Sequence, residues 1–254
     1  MYIDSHAHLY LEQFNEDRQE MIQRCLDNDV QKVFLPNIDS STTQSMLNLC
    51  EVFPDVCYPM IGLHPCSVKE NYKDELAHIE EQLESNKFYG IGETGIDLYW
   101  DKTFKQKQIE AFEFQIDLAL KLDLPIIIHS RESLDLTIDI ITQHQTGNLK
   151  GIFHCFNGNV DQCKKILDVN FLMGLGGVIT FKNAKLDEMV SYLPFSNMLL
   201  ETDAPYLSPV PFRGKRNESS YIPLVAEKIA TVKNIEIKEV MNQTTNNAKN
   251  IFCI

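Results

Sequence analysis

The chain has 254 residues, 44% of them hydrophobic and 23% charged, enough to bury a large core either as one α/β domain or as two small domains. Its 36 acidic residues against 23 basic ones give a formal charge of −13, which excludes binding of duplex nucleic acid through a broad basic face; a polyanionic substrate would need a local source of positive charge. No window approaches the apolar length of a membrane span, the opening MYIDSHAHLY has no basic region followed by an apolar stretch, and the seven scattered cysteines contain no CxxC pair, so the expectation is a soluble, cytoplasmic protein without a disulfide framework.

In chain order, short apolar runs alternate with longer stretches of helical periodicity. The strand Tyr2–Ala7 precedes a helix at Glu12–Asn28, and Lys32–Leu35 precedes Ser41–Glu51. The pattern continues with Val56–Gly62 and Asp74–Glu84, then Phe88–Glu93 and Thr103–Leu122. Next come Pro125–His129 with Ser133–His144, Gly151–Cys155 with Val160–Asp168, and Phe171–Leu175 with Asn183–Leu193. The last strand, Met198–Glu201, is followed by two helices, Ser219–Lys233 and Lys238–Ile251. Runs such as PIIIH and GIFHCF are apolar on both faces, as parallel strands covered by helices are. Eight such units without a linker point to one α/β domain over residues 1–254, a (β/α)₈ TIM barrel, although periodicity alone does not decide between a closed barrel and a doubly wound open sheet.

The unusual residues fall at strand ends. His6 and His8 are two apart, so alternation along a strand points both imidazoles the same way, as a metal clamp requires. Glu93, His129, His154 and Asp203 sit at or just past the carboxyl ends of later strands. In a barrel all these ends meet at one mouth, where barrel enzymes keep their chemistry. Each residue alone has an ordinary reading, as a helix cap or a hydrogen-bonded core group, but those readings do not account for a shared register. Asp4, on the same face as the HxH pair by alternation, and Asp97 read as supporting or capping acids. His78 and His144 fall in helical stretches and read as surface residues. Trp100, the only tryptophan, could stack a nucleobase together with Tyr99, but a packed loop anchor is the preferred reading.

The motifs HAHL, GLHP, GETGID, HSR, HCF, ETDAPYL and RGKRNES, spread over nearly the whole chain, resemble those of the TatD family of metal-dependent deoxyribonucleases within the amidohydrolase superfamily. The resemblance implies a TIM-barrel hydrolase with one or two divalent ions (Mg, Mn or Zn) that cleaves DNA phosphodiester bonds by metal-activated water, as a 3′ to 5′ exonuclease on single strands or 3′ ends. It assigns His6, His8, Glu93 and Asp203 to one ion and Glu93, His129 and His154 to a second, with Glu93 as the bridge. Asp203 is the expected proton acceptor, with pure metal ligation as its other reading, and His64 of GLHP is expected to hydrogen-bond the phosphate, with a loop histidine held by the following Pro65 as the alternative. Arg213, Lys215 and Arg216, the densest basic cluster, would grip flanking phosphates; without the resemblance such a run reads as a solvated face, and Arg131, two residues past His129, either joins them or anchors an acid at the barrel top. The nitrogen and oxygen ligands do not select one metal. The alternatives are a hydrolase of a small amide or lactone, deacylation of D-aminoacyl-tRNA, and a noncatalytic metal-dependent binding protein; neither a membrane nor an obligate protein partner is implied.

Overall fold

The computed structural model describes residues 1–254. Eight strands are present: β1 (Tyr2–Asp4), β2 (Val30–Pro36), β3 (Cys57–Met60), β4 (Ile91–Asp97), β5 (Ile126–Arg131), β6 (Gly151–Phe153), β7 (Leu172–Leu175) and β8 (Met198–Leu200). Each pairs in parallel with the next in two runs, β1 to β3 and β4 to β8. Isolated parallel bridges join the runs at both seams, Ile61 with Ile91 and Ala7 with Ala204, and so close the sheet into a barrel. At one seam Gly92 N–H donates to Ile61 O (2.7 Å); at the other Asp203 N–H donates to His6 O (2.9 Å) and His8 N–H to Ala204 O (2.7 Å). The closing hydrogen bonds therefore run through ligand-bearing segments.

The helices are α1 (Arg18–Asp27), α2 (Ser40–Val52), α3 (Tyr72–Ser85), α4 (Lys105–Leu122), α5 (Leu134–His144), α6 (Val160–Asp168), α7 (Asp187–Tyr192), α8 (Ile222–Lys233) and α9 (Ile237–Phe252). Every expected helix is present. The boundary of α6 coincides with the expected one because a capping box fixes its start: Gln162 N–H donates to Asn159 Oδ1 (2.9 Å), and Asn159 N–H donates back to Gln162 Oε1 (3.0 Å). Helix α7 is shorter than expected, since Lys185 adopts φ 54° and a left-handed residue cannot sit inside a right-handed helix.

Two apolar clusters hold the barrel. The larger lies between strands and helices. The smaller fills the inside of the barrel with Ile3, Phe34, Tyr58, Met60, Ile127, Ile152 and Leu199, and α9 adds Ala248, Ile251 and Phe252. The rings of Phe34 and Phe252 stack at 3.6 Å, and burying each contributes roughly 2–3 kcal/mol. Asn247 Nδ2 donates to Met198 O (2.9 Å) and Thr245 Oγ1 to Met1 O (2.9 Å), which ties α9 to the starts of β8 and β1. The amino end of the barrel is thereby plugged, and chemistry is left to the carboxyl mouth. No helix is long and apolar enough to cross a membrane.

Candidate metal centre

Two strands become irregular where they approach the mouth, and both carry ligand candidates. Ile3 belongs to the interior cluster, so unbroken alternation would put Ser5 and Ala7 into the mouth. Instead the strand ends at Asp4 and the chain bends at Ser5, which gives those positions to His6 and His8. Asp4 consequently does not share their face, as alternation had suggested. Its buried carboxylate accepts from His6 N–H (3.2 Å), Thr202 N–H (3.0 Å) and Thr202 Oγ1–H (2.6 Å), and so staples β1 to the chain leaving β8. Burial is the chief cause that lifts this carboxyl to about 7.

Glu93 lies inside β4 rather than at its end, because the strand runs on to Asp97. The pairing of β4 with β5 shifts register between Ile91 and Thr94, and such an irregularity re-aims side chains. The local sequence permits it: a Cβ on Gly95 (φ +131°) would lie 2.1 Å from His129 O, and one on Gly92 would lie 2.7 Å from Ile127 Cβ.

Around Glu93 the expected residues converge. Its Oε2 is 3.1 Å from His6 Nε2 and 3.4 Å from His8 Nε2. Its Oε1 is 2.9 Å from His129 Nδ1, 2.9 Å from His154 Nε2 and 3.4 Å from His64 Nε2. Asp203 Oδ1 lies on the first side, 3.7 Å from His6 Nε2 and 3.6 Å from His8 Nε2. One buried carboxylate thus divides the imidazoles into two sets. Three overlapping triads, His6/His8/Asp203, His6/Glu93/His154 and His64/Glu93/His129, each bring their donor atoms within 4.8 Å of one another.

The far nitrogen of each ring decides what the near one can do. Tyr10 Oη donates its single proton to Pro36 O (2.6 Å), so His8 Nδ1, at 3.0 Å, is the donor to Tyr10, and in the neutral ring Nε2 is the nitrogen with its lone pair toward the centre. His129 Nε2 faces Asp97 Oδ2 (2.9 Å), which keeps the proton there and leaves Nδ1 free to ligate. His154 Nδ1 lies 3.3 Å from Glu201 Oε1, at ion-pair distance. His64 is the opposite case: its Nδ1 accepts from Cys66 N–H (3.0 Å), so the neutral ring carries its proton on Nε2 and is a donor rather than a ligand.

The charges are consistent with this arrangement. Burial pushes the Glu93 carboxyl upward, but the surrounding imidazoles of His154, His6 and His64 hold it well below the usual range. Burial likewise opposes ionisation of Asp203, and the hydrogen bond from His8 with the charges of His154 and His6 lowers it. For His8 the desolvation is outweighed by Asp203 and Glu93, which raise it to about 10. His6 is lowered, first by burial and then by His154, whose ring stacks on it at 3.8 Å. Both central carboxylates are therefore ionised at neutral pH, and the buried Nδ1 atoms of His6 and His154 have no hydrogen-bond partner. A buried set of imidazole nitrogens around two ionised carboxylates, with ring nitrogens left unpartnered, fits a divalent cation, which would take the place of the protons that the imidazoles now carry.

Sequence reading missed two supporting residues. Tyr10 continues the alternation of His6 and His8, and Glu201 sits two positions before Asp203; that spacing was the only signal for either. Glu201 is fully buried and accepts from Cys155 N–H (2.5 Å), and a Cβ at Gly174 would lie 1.9 Å from its Oε2, so only glycine leaves room for it.

At the rim, Arg213, on the loop after β8, stacks on Phe181 (4.3 Å), and Arg131, the last residue of β5, stacks on Tyr99 (3.7 Å). Lys215 lies over the Phe212 ring at 5.9 Å. Arg216 departs from its expected place as a free phosphate grip. Its guanidinium pairs with both oxygens of Asp17 (2.7 and 2.7 Å) and stacks on Phe14 (4.5 Å), which spends its charge on α1's approach. His78 and His144 are half-buried rather than surface residues: His78 Nε2 meets Thr43 Oγ1 (3.0 Å), and His144 Nδ1 meets Ile140 O (2.9 Å). Trp100 is 73% exposed, which overturns the packed anchor.

A closed parallel barrel with imidazoles and ionised carboxylates gathered at its carboxyl mouth defines a metal-dependent hydrolase. Comparison with known proteins refines this. The family described as TatD related DNase matches residues 3–253, and the chain belongs to it. The uncharacterised metal-dependent hydrolase YabD of Bacillus subtilis is 40% identical over 100% of both chains. The 3′-5′ ssDNA/RNA exonuclease TatD of Erwinia tasmaniensis is 29% identical over 94% of this chain and 95% of its own. The crystal structure of YJJV, a TatD homologue from Escherichia coli K12, superposes with a TM-score of 0.94 at 27% identity, covering 100% of this chain and 98% of that one.

Proposed function

We propose that the protein is a deoxyribonuclease that removes nucleotides from the 3′ end of single-stranded DNA. One observation carries the reading: the two oxygens of Glu93 face separate sets of imidazoles, which is the layout of a carboxylate shared between two cation sites. His6, His8 and Asp203 would hold one ion, and His129 and His154, each 2.9 Å from Glu93 Oε1, the other, with Glu93 common to both. Divalent ions there would polarise the phosphate oxygens and acidify a water.

The chain's own groups supply the rest. Asp203, whose side chain is 16% exposed against 3% for Glu93, is the central carboxylate that reaches incoming water and accepts its proton. His64, held as an Nε2–H donor, hydrogen-bonds a nonbridging oxygen as the bond to the 3′ oxygen breaks. Arg213, Lys215 and Arg131 supply the local positive charge that a chain of net charge −13 needs to hold a polyanion. The Erwinia relative, described as a 3′-5′ ssDNA/RNA exonuclease, supports the 3′ to 5′ direction. The seven cysteines are all free thiols, which supports a reducing compartment such as the cytoplasm.

The test is direct. Protein stripped with chelator and reloaded separately with Mg²⁺, Mn²⁺ or Zn²⁺ should shorten a 5′-labelled single-stranded oligonucleotide stepwise from its 3′ end. An oligonucleotide left intact by all three forms rejects the reading.

A further inference from the structure

The loop after β4 leaves two aromatic rings in water, Trp100 at 73% exposure and Tyr99 at 48%. Scattered exposed hydrophobics are ordinary, but this pair has unusual surroundings. The two rings meet edge to face at 4.8 Å. The Arg131 guanidinium lies 3.7 Å from the Tyr99 centroid and 5.4 Å from that of Trp100. The acids that could neutralise it are taken elsewhere: Asp101 by Lys69 (3.7 Å), Glu132 by Lys102 (3.8 Å) and Asp97 by His129 (2.9 Å).

The pair is also fastened to the centre. Asp97 Oδ1 accepts from Tyr99 N–H (2.9 Å) and Trp100 N–H (3.5 Å), while Oδ2 holds His129 Nε2. A single carboxylate therefore fixes both a ligand imidazole and the backbone under the rings. Four strands round the barrel, the loop after β8 exposes Tyr206 (48%) on the opposite rim.

Flat aromatic surface beside an unspent cation, next to a centre suited to a phosphodiester, matches a base attached to its phosphate. Every nucleobase offers a π face, so stacking is tolerant of sequence. An anionic lipid surface is disfavoured by the net charge of −13, and two rings fall well short of the broad apolar patch of a protein interface. We propose that Trp100 and Tyr99, with Arg131 beneath them, form a stacking subsite for the nucleobase next to the cleaved phosphodiester, whatever that base is. The proposal rests on the phosphodiesterase reading of the centre, and the experiment separates the two.

Trp100 is the only tryptophan, so its fluorescence reports the subsite directly. Mg²⁺-loaded protein is titrated with a hydrolysis-resistant phosphorothioate oligothymidylate and with an abasic oligomer of equal length and charge. The expected result is saturable quenching by the first and none by the second. In turnover, Trp100→Ala should raise KM for single-stranded DNA about 5- to 100-fold, with kcat within about twofold, and Trp100→Phe should restore most of the loss. Equal quenching by the abasic oligomer overturns the subsite, as does an unchanged KM for Trp100→Ala. Base-dependent quenching without trimming by any metal form keeps the subsite and rejects the nuclease; trimming without quenching does the reverse.

Discussion

The centre and the rim of the barrel mouth differ in how many partners hold each side chain. Glu93 is 2% exposed and lies within 3.4 Å of five imidazoles. Trp100 is 73% exposed and its indole touches little beyond Tyr99 and Arg131. In the centre, removing one group leaves several others buried without a partner, so effects spread. At the rim, a substitution disturbs one neighbour and little else. The two regions should therefore separate by the size of the response and by which measurement moves.

The largest effect is expected from Glu93→Gln. It keeps the shape but removes the shared charge, and turnover should fall at least about 1,000-fold with bound metal falling in parallel, while circular dichroism stays unchanged. Metal content after dialysis and kcat are the measurements, and activity kept at wild-type level would mean that the centre is not organised around this carboxylate. The next layer out should respond less. Asp97→Asn and Tyr10→Phe leave every ligand in place but loosen the tautomers of His129 and His8, so metal affinity should weaken about 10- to 100-fold. Titration with a competing chelator reads this, and an unchanged affinity for both would show that the rings need no outer support.

At the rim the contrast lies within one short loop. Replacing Arg213 and Lys215 with Ala should raise KM for DNA a few-fold and lower the slope of log affinity against log salt by about one for each phosphate that is no longer neutralised. Arg216→Ala should leave that slope alone, because Asp17 already neutralises it, and should instead cost about 1 kcal/mol of stability. A salt slope that drops with Arg216 alone would return this arginine to the substrate.

How far each region could be read from sequence follows the same division. The centre was legible because its residues are set by strand register: His129 follows Ile127 on the interior face of β5, and His154 follows Ile152 on that of β6. All eight strands and nine helices were visible as apolar runs and helical periodicity. Register failed where the strands stop being regular. The bend at Ser5 moved Asp4 off the face shared with His6 and His8, and β4 continues four residues past Glu93, to Asp97. The rim was illegible for another reason. Whether Arg216 is free depends on Asp17, 199 positions away, and whether Trp100 is packed depends on which loops reach it. Neither leaves a periodic trace.

The smallest effect tests whether the Arg216 pair is structural. Asp17 and Glu218 receive both Arg216 and Arg24, with Arg24 donating to Glu218 at 2.9 and 2.7 Å and to Asp17 at 2.8 Å. Arg216 first, then Arg24, holds the Asp17 carboxyl below the usual range despite an opposing contribution from burial. Burial also opposes ionisation of Glu218, but Arg24 and Ser220 lower it. A carboxylate depressed in the folded state binds fewer protons there than in the unfolded chain. Its contribution is thus complete above the ordinary carboxylate value near 4 and is lost as the pH falls through the lower folded value. Asp17→Asn should reduce stability at pH 7 by about 1 kcal/mol, roughly 2–4 °C in Tm, and the gap to the wild type should close below about pH 4. Taking the difference between variants removes the acid sensitivity of the metal centre, which both share. A gap that stays constant from pH 7 to pH 3 would mean that the loss comes from packing, and that Arg216 is held by Phe14 rather than by charge.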